Sequence, residues 1–272
     1  MQQFSISPLE MVAGLWRNRN LVRALVQREV VGRYRGSSIG ILWSLFNPIL
    51  MLMIYTFVFS VVFKARWTGG SGSRTEFALV LFAGLIVFNL FSECVMRSPT
   101  LILSNANYVK KVVFPLEILP WVALGSALFH TLVSFGVWLL AYCIFFGVPH
   151  ATVLLLPIIM LPFLFLIMGV TWALASLGVY LRDVSQFVGP LLSMLMFLSA
   201  IFYPANSLPE QYRSLLMLNP LSPIIEEVRD SLFWGIIPNL QLVLISWLTG
   251  LPAAWLGFAW FQKIRKGFAD VI

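Results

Sequence analysis

Arginines, those at 28, 33 and 35 among them, are the residue type of this 272-residue chain suited to hold an anion. A guanidinium is planar, always charged and able to bond two oxygens of one phosphate. Their other reading is plainer: basic residues beside apolar runs set membrane topology and meet lipid headgroups. Little else offers chemistry. No Gly-Lys pair occurs, so the phosphate-cradling loop G-x-x-x-x-G-K-[ST] is absent. There is no Ser/His/Asp or Cys/His order for nucleophilic catalysis. Cys94 and Cys143 both lie in apolar stretches, and with only His130 and His150 beside them they make neither a disulfide framework nor a metal site. His130 is the one titratable residue at mid-span and reads as a hydrogen-bonded packing residue. Glu93, Glu117 and Asp183 fall near the ends of apolar runs, away from the depth where ion-coupled relays belong. Glu226 and Glu227 beside Arg229 and Asp230 read as a solvated outer face. The chain is expected to be no enzyme and to carry no metal or cofactor.

The elements that position these residues follow from composition. Apolar residues make up 60% of the chain and charged residues 11%, with a mean hydropathy of +0.89. A soluble domain is about a quarter charged, so there are too few charges here to cover a wetted surface, and too much apolar content for disorder. An integral membrane protein is expected. The net charge of +7 would suggest nucleic acid in a soluble domain; beside uncharged runs it points instead to topology and anionic headgroups. The N-terminus lacks the charged, apolar, small-residue order of a cleavable signal.

A helix needs about 20 apolar residues to cross the hydrocarbon core. Six spans are expected at about 39–63, 77–96, 116–146, 152–180, 186–202 and 239–262, in an all-α membrane fold forming one domain over 1–272. With the N-terminus inside, the inner segments hold 13 of the 18 basic residues, which places both termini in the cytoplasm. Residues 8–34 alternate apolar and basic positions at helical spacing and read as an amphipathic helix at the inner interface. Residues 203–238 contain five prolines and apolar pieces too short to span, and read as short re-entrant or surface helices at the outer mouth. Glycines 32, 36 and 40 are spaced for one helix face, which suits either packing within the monomer or a dimer contact. The aromatic density, with 23 Phe, 10 Trp and 7 Tyr, suits either an interfacial belt or a pore that stacks on sugar rings.

RYRGSSIGILWSLFNP (33–48), NANYVKKVVFPLEILP (105–120), LRDVSQFV (181–188), FYPANSLPE (202–210) and LNPLSPIIEEVRD (218–230) resemble, in order along nearly the whole chain, the permease subunits of ABC-2 type polysaccharide exporters. The O-antigen (lipopolysaccharide) permeases are closest, with teichoic acid and capsule permeases as relatives. The resemblance implies a homodimer in the inner membrane, paired with two copies of a cytoplasmic ATPase that binds the ATP and Mg. Coupling to that ATPase would fall to the interface helix and to residues 98–113. Arg28, Arg33, Arg35, Asn105, Tyr108, Lys110 and Lys111 are the residues expected to meet the ATPase or the carrier's phosphates. The cargo would be a polysaccharide on an undecaprenyl carrier, passing a channel lined in part by aromatics, with Trp43, Phe202 and Tyr203 as candidates. Two alternatives are an exporter of drugs or small lipids on the same membrane fold, and a scaffold that translocates nothing.

Overall fold

The computed structural model describes residues 5–62, 67, 73–109, 114–204, 209, 211, 216 and 219–272. The described helices are α1 (Pro8–Arg17), α2 (Arg19–Tyr34), α3 (Trp43–Tyr55), α4 (Arg74–Arg97), α5 (Ala106–Val109), α6 (Leu119–Phe146), α7 (Leu156–Tyr180), α8 (Val184–Leu198), α9 (Leu221–Arg229), α10 (Leu240–Ile264) and α11 (Phe268–Val271). No strand occurs among the described residues.

The amphipathic stretch is two helices rather than one. Ser7 caps α1 by accepting from the Leu9 N–H, with Pro8 at the first helical position. Asn18 leaves the helical region and its side-chain amide donates to the Gly14 carbonyl at 2.8 Å, which closes α1 before α2 begins. On α1, Leu9, Val12 and Trp16 form one exposed apolar stripe, while Trp255 of α10 donates to the Ile6 carbonyl at 3.0 Å. The glycine spacing at 32–40 does not make a helix face. The helix ends at Tyr34, and Gly36 (φ 87°) and Gly40 (φ 60°) take left-handed backbone that other residues resist. They turn the chain from α2 into α3.

Among the described residues, five helical stretches are long and apolar enough to cross a membrane: Gly40–Phe59, Thr75–Thr100, Leu116–Phe146, Ala151–Tyr180 and Leu240–Val271. The expected fifth span, 186–202, coincides with α8, which is shorter. Its 15 residues rise about 22 Å at 1.5 Å each, against a hydrocarbon core of about 30 Å. The helix stops at Ser199, and Ala200 then takes φ 51°, an expensive backbone for a residue with a side chain.

Helix α4 is the centre of the molecule, walled in on every side except one polar face. The indole of Trp138 on α6 donates to the Leu79 carbonyl at 2.9 Å, fixing α6 against it. α7 and α10 approach each other at backbone distance: a Cβ at Gly169 would meet the Ala253 carbonyl, and one at Gly257 would meet the Gly169 carbonyl. Small residues permit this because helix association in lipid relies on close van der Waals contact. In contrast, α3 is almost uncovered, with Phe46, Leu50 and Met53 exposed.

The short helix α9 departs from expectation. Glu227 and Arg229 are buried, not solvated. The Arg229 guanidinium donates to the carbonyls of Val80 on α4, Ala200 and Ile201, and stacks 4.7 Å from the Trp67 ring. Gly84 on α4 leaves the room that it fills. Burial pulls its pKa down to about 9, with Glu226 and Asp230 opposing, so the group is charged at neutral pH. This one side chain holds α9, α4 and the left-handed turn after α8 together. The sequence pattern of mixed charges suits a wet surface equally well, and only the missing Cβ at Gly84 hints at the socket.

Candidate functional site

A cavity of about 800 Å³ lies between the end of α2 and helices α3, α4 and α6. Its base is built from two ion pairs in antiparallel register. α2 presents Glu29 and Arg33 one turn apart, and α4 presents Glu93 and Arg97 one turn apart, so that each pair shares a helix face. Arg33 meets Glu93 at 2.6 Å, and Arg97 meets Glu29 at 2.6 Å. His130 enters from α6, its Nδ1 lying 3.0 and 3.1 Å from the two Glu93 oxygens. An ionised carboxylate only accepts, so Nδ1 carries the hydrogen and donates. Nε2 is buried and has no partner among the described residues. His130 is therefore more than a packing residue: it belongs to a charged triad with Arg33 and Glu93.

Above this base the lining is polar but neutral. Asn47 projects from α3, Asn89 and Ser92 from α4, and Ser126 and Ser134 from α6. Ser126, His130 and Ser134 are four apart and make one stripe of α6; Asn89 and Glu93 are likewise four apart on α4. Asn47 and Asn89 are exposed and Ser92 and Ser134 half-buried, so this row of amides and hydroxyls is open to water, a polar ligand or a partner surface. No group of His, Cys, Asp and Glu that could hold a metal ion is found among the described residues.

The residues expected from the sequence to act together fall into three places. Arg33 is in the triad. Arg28 is beside it on α2 but reaches the other way, donating to the Tyr108 hydroxyl at 2.8 Å; Tyr108 in turn stacks on Phe114 at 4.2 Å. Asn105 shares with Arg28 and Tyr108 a second cavity of about 230 Å³. Arg35 is exposed just beyond α2, and Lys110 and Lys111 lie outside the described residues. Phe202 stacks on Phe59 at 5.4 Å, and the neighbouring Tyr203 hydroxyl donates to the Phe197 carbonyl at 3.0 Å. Trp43 is far from both along α3, exposed and 6.1 Å from Phe46, so the three aromatics form no single cluster. Glu29, Glu93, Arg97 and the two asparagines were not singled out by sequence reasoning. The opposed i,i+4 charges at 29/33 and 93/97 were the available signal.

The described residues form a bundle of apolar helices around a polar cavity, the build of a multi-pass membrane protein. Residues 20–233 match the family model for the ABC-2 type transporter, and the chain belongs to that family. It is similar to the O-antigen export system permease protein RfbA of Myxococcus xanthus, with 27% identity over 97% of this chain and 100% of that protein. It is similar also to RfbA of Klebsiella pneumoniae, at 26% over 93% of this chain and 95% of the relative. The polysialic acid transport protein KpsM of Escherichia coli is 28% identical over 79% of this chain and 82% of its own length.

Proposed function

We propose that this chain is the permease subunit of an ABC exporter that carries lipid-linked polysaccharide, of the O-antigen class, across the inner membrane. The observation that carries this reading is the similarity to O-antigen export permeases along 97% of the chain. In this reading two copies pair around a shared path, and two cytoplasmic ATPase subunits bind the ATP and Mg and supply the work. Both termini face the cytoplasm, so the cavity opens toward the side where the polymer is assembled on its undecaprenyl carrier. Arg28 and Tyr108 tie the interface helix to the loop that precedes α6, an arrangement suited to passing motion from an ATPase into the spans. Arg35, exposed at the turn into α3, and Lys110 and Lys111 are the cations offered to the ATPase or to the carrier's phosphates. Phe202 and Tyr203, packed at the end of α8 with Phe59, suit an aromatic lining near the outer mouth; Trp43 suits the inner one.

Capsular polysaccharide is the second reading, favoured by the similarity to KpsM. The test is a gel of envelope polysaccharide from a strain lacking this chain, with the cell interior probed in parallel. Loss of long polymer from the surface, with lipid-linked polymer accumulating inside, is the expected result. Unchanged surface polymer would overturn polysaccharide export and turn attention to drugs or small lipids. The banding pattern and sugar content of the lost polymer separate O-antigen from capsule.

A further inference from the structure

The charges of the 800 Å³ cavity are spoken for, and its neutral groups are not. Arg33 and Arg97 each already hold a carboxylate at 2.6 Å. A phosphate entering here would have to displace Glu93 or Glu29, and a cation would have to displace an arginine. Asn47, Asn89, Ser92 and Ser134 line the same space with no hydrogen-bond partner among the described residues, and the His130 Nε2 is buried without one. Each amide offers two donors and an acceptor, and each hydroxyl offers both. That is the complement of a ligand with several hydroxyl groups and no charge. The half-buried rings of Tyr34 and Tyr55 line the cavity as well, and an aromatic ring is apolar enough to meet the C–H face of a pyranose. The volume falls within the roughly 300–1,000 Å³ of ligand-binding cavities. An apolar drug filling the cavity would displace water from the asparagines and give them no partner in return.

We infer that this cavity is a subsite for an uncharged sugar unit, read by Asn47, Asn89, Ser92 and Ser134, and that the carrier's phosphates bind elsewhere. The inference rests on the export reading above and names where within the monomer the glycan is held.

The test is photocrosslinking in cells. p-Benzoylphenylalanine is placed at position 47 or 89 in place of the asparagine, and at Leu140 on the exposed apolar side of α6 as the control. The irradiated permease is purified and probed for carbohydrate in a strain that makes the polymer and in one that does not. Carbohydrate on the permease from positions 47 and 89, absent from the Leu140 variant and from the polymer-free strain, is the expected result. Mild acid, which cleaves the sugar–diphosphate bond, should leave that carbohydrate attached. Its release would mean that the carrier lipid and not the sugar was captured, and would overturn the assignment. Absence of adduct in cells that export normally would do the same. A second measurement stands apart from crosslinking yield: Asn47→Leu with Asn89→Leu should lower surface polymer at least tenfold at unchanged permease level, whereas Asn47→Gln with Asn89→Gln should keep most of it. Normal export by the leucine pair would sink the subsite. If the deletion strain retains its surface polymer, it is the export reading that fails; if it loses polymer and positions 47 and 89 capture nothing, only the subsite does.

Discussion

At the residue scale two arginines carry most of the unexpected physics. Arg229 donates to three carbonyls, of which those of Ala200 and Ile201 lie outside any helix and would otherwise be orphaned in a dry interior, at about 1–3 kcal/mol each. Arg229→Met should therefore lower the melting temperature of the detergent-solubilised protein strongly, and Arg229→Lys should not restore it, because an ammonium lacks the fork that reaches three acceptors. Gly84→Ala, which puts a methyl where the guanidinium lies, should reproduce the defect. A wild-type melting curve for Arg229→Met would mean that water replaces the side chain at no cost. Arg33 behaves differently, since its partner Glu93 also holds His130. Glu93→Gln leaves two donors facing a neutral amide and should cost on the order of 1 kcal/mol, because Arg33 is more than half exposed and water screens the pair. Adding Arg33→Gln should recover part of that loss, and a double-mutant cycle on thermal stability measures the coupling.

At the element scale the contrast between glycines is the clearest lesson. Gly169 on α7 has the Ala253 carbonyl where a Cβ would go, while Gly136 on α6 has nothing within 4 Å. Gly169→Leu should destabilise the α7–α10 pair by more than the 1–3 kcal/mol typical of overpacking, because backbone cannot move aside as a side chain does. Gly136→Leu should be nearly silent, and thermal unfolding of the two variants side by side decides the matter. The link between α2 and the 101–109 stretch makes a third case. Tyr108→Phe keeps the stack on Phe114 and removes only the acceptor for Arg28. Export should fall several-fold while membrane insertion and ATPase binding persist, as measured by surface polymer and co-purification. Full export would free that hydrogen bond from any part in coupling.

For the whole molecule, the asymmetry of basic residues and the arrangement of helices make one statement. The ends of α7 and α10, the start of α6, helix α1 and the C-terminal α11 share one end of the bundle, tied there by Arg265 to Glu117 at 2.6 Å and by Tyr180 to the Ile264 carbonyl at 3.1 Å. α9 and the starts of α4 and α10 share the other. A fluorescent protein fused after Ile272 should therefore glow in the cytoplasm, and a periplasm-dependent phosphatase fused there should be inactive. The reverse pair of signals would invert the topology and turn the cavity outward.

Hydropathy and helical spacing are local sums, so residues 39–63, 77–96, 116–146, 152–180 and 239–262 could be read as apolar helices from the chain alone, and ordered motifs such as RYRGSSIGILWSLFNP were enough to suggest the family. α8 was overestimated because apolar sequence runs on past Leu198, whereas the backbone turns at Ala200. Partnership is not local. Arg33 finds Glu93 across 60 residues and His130 joins from 37 residues further on; Arg229 finds Val80 across 149. A glutamate near the end of a span, a histidine amid phenylalanines and an arginine between acids each had an ordinary reading in isolation. Tertiary structure alone decided that the first two meet at a polar cavity and that the third is buried, because charges in a medium without water are stable only where the fold brings their partners to them.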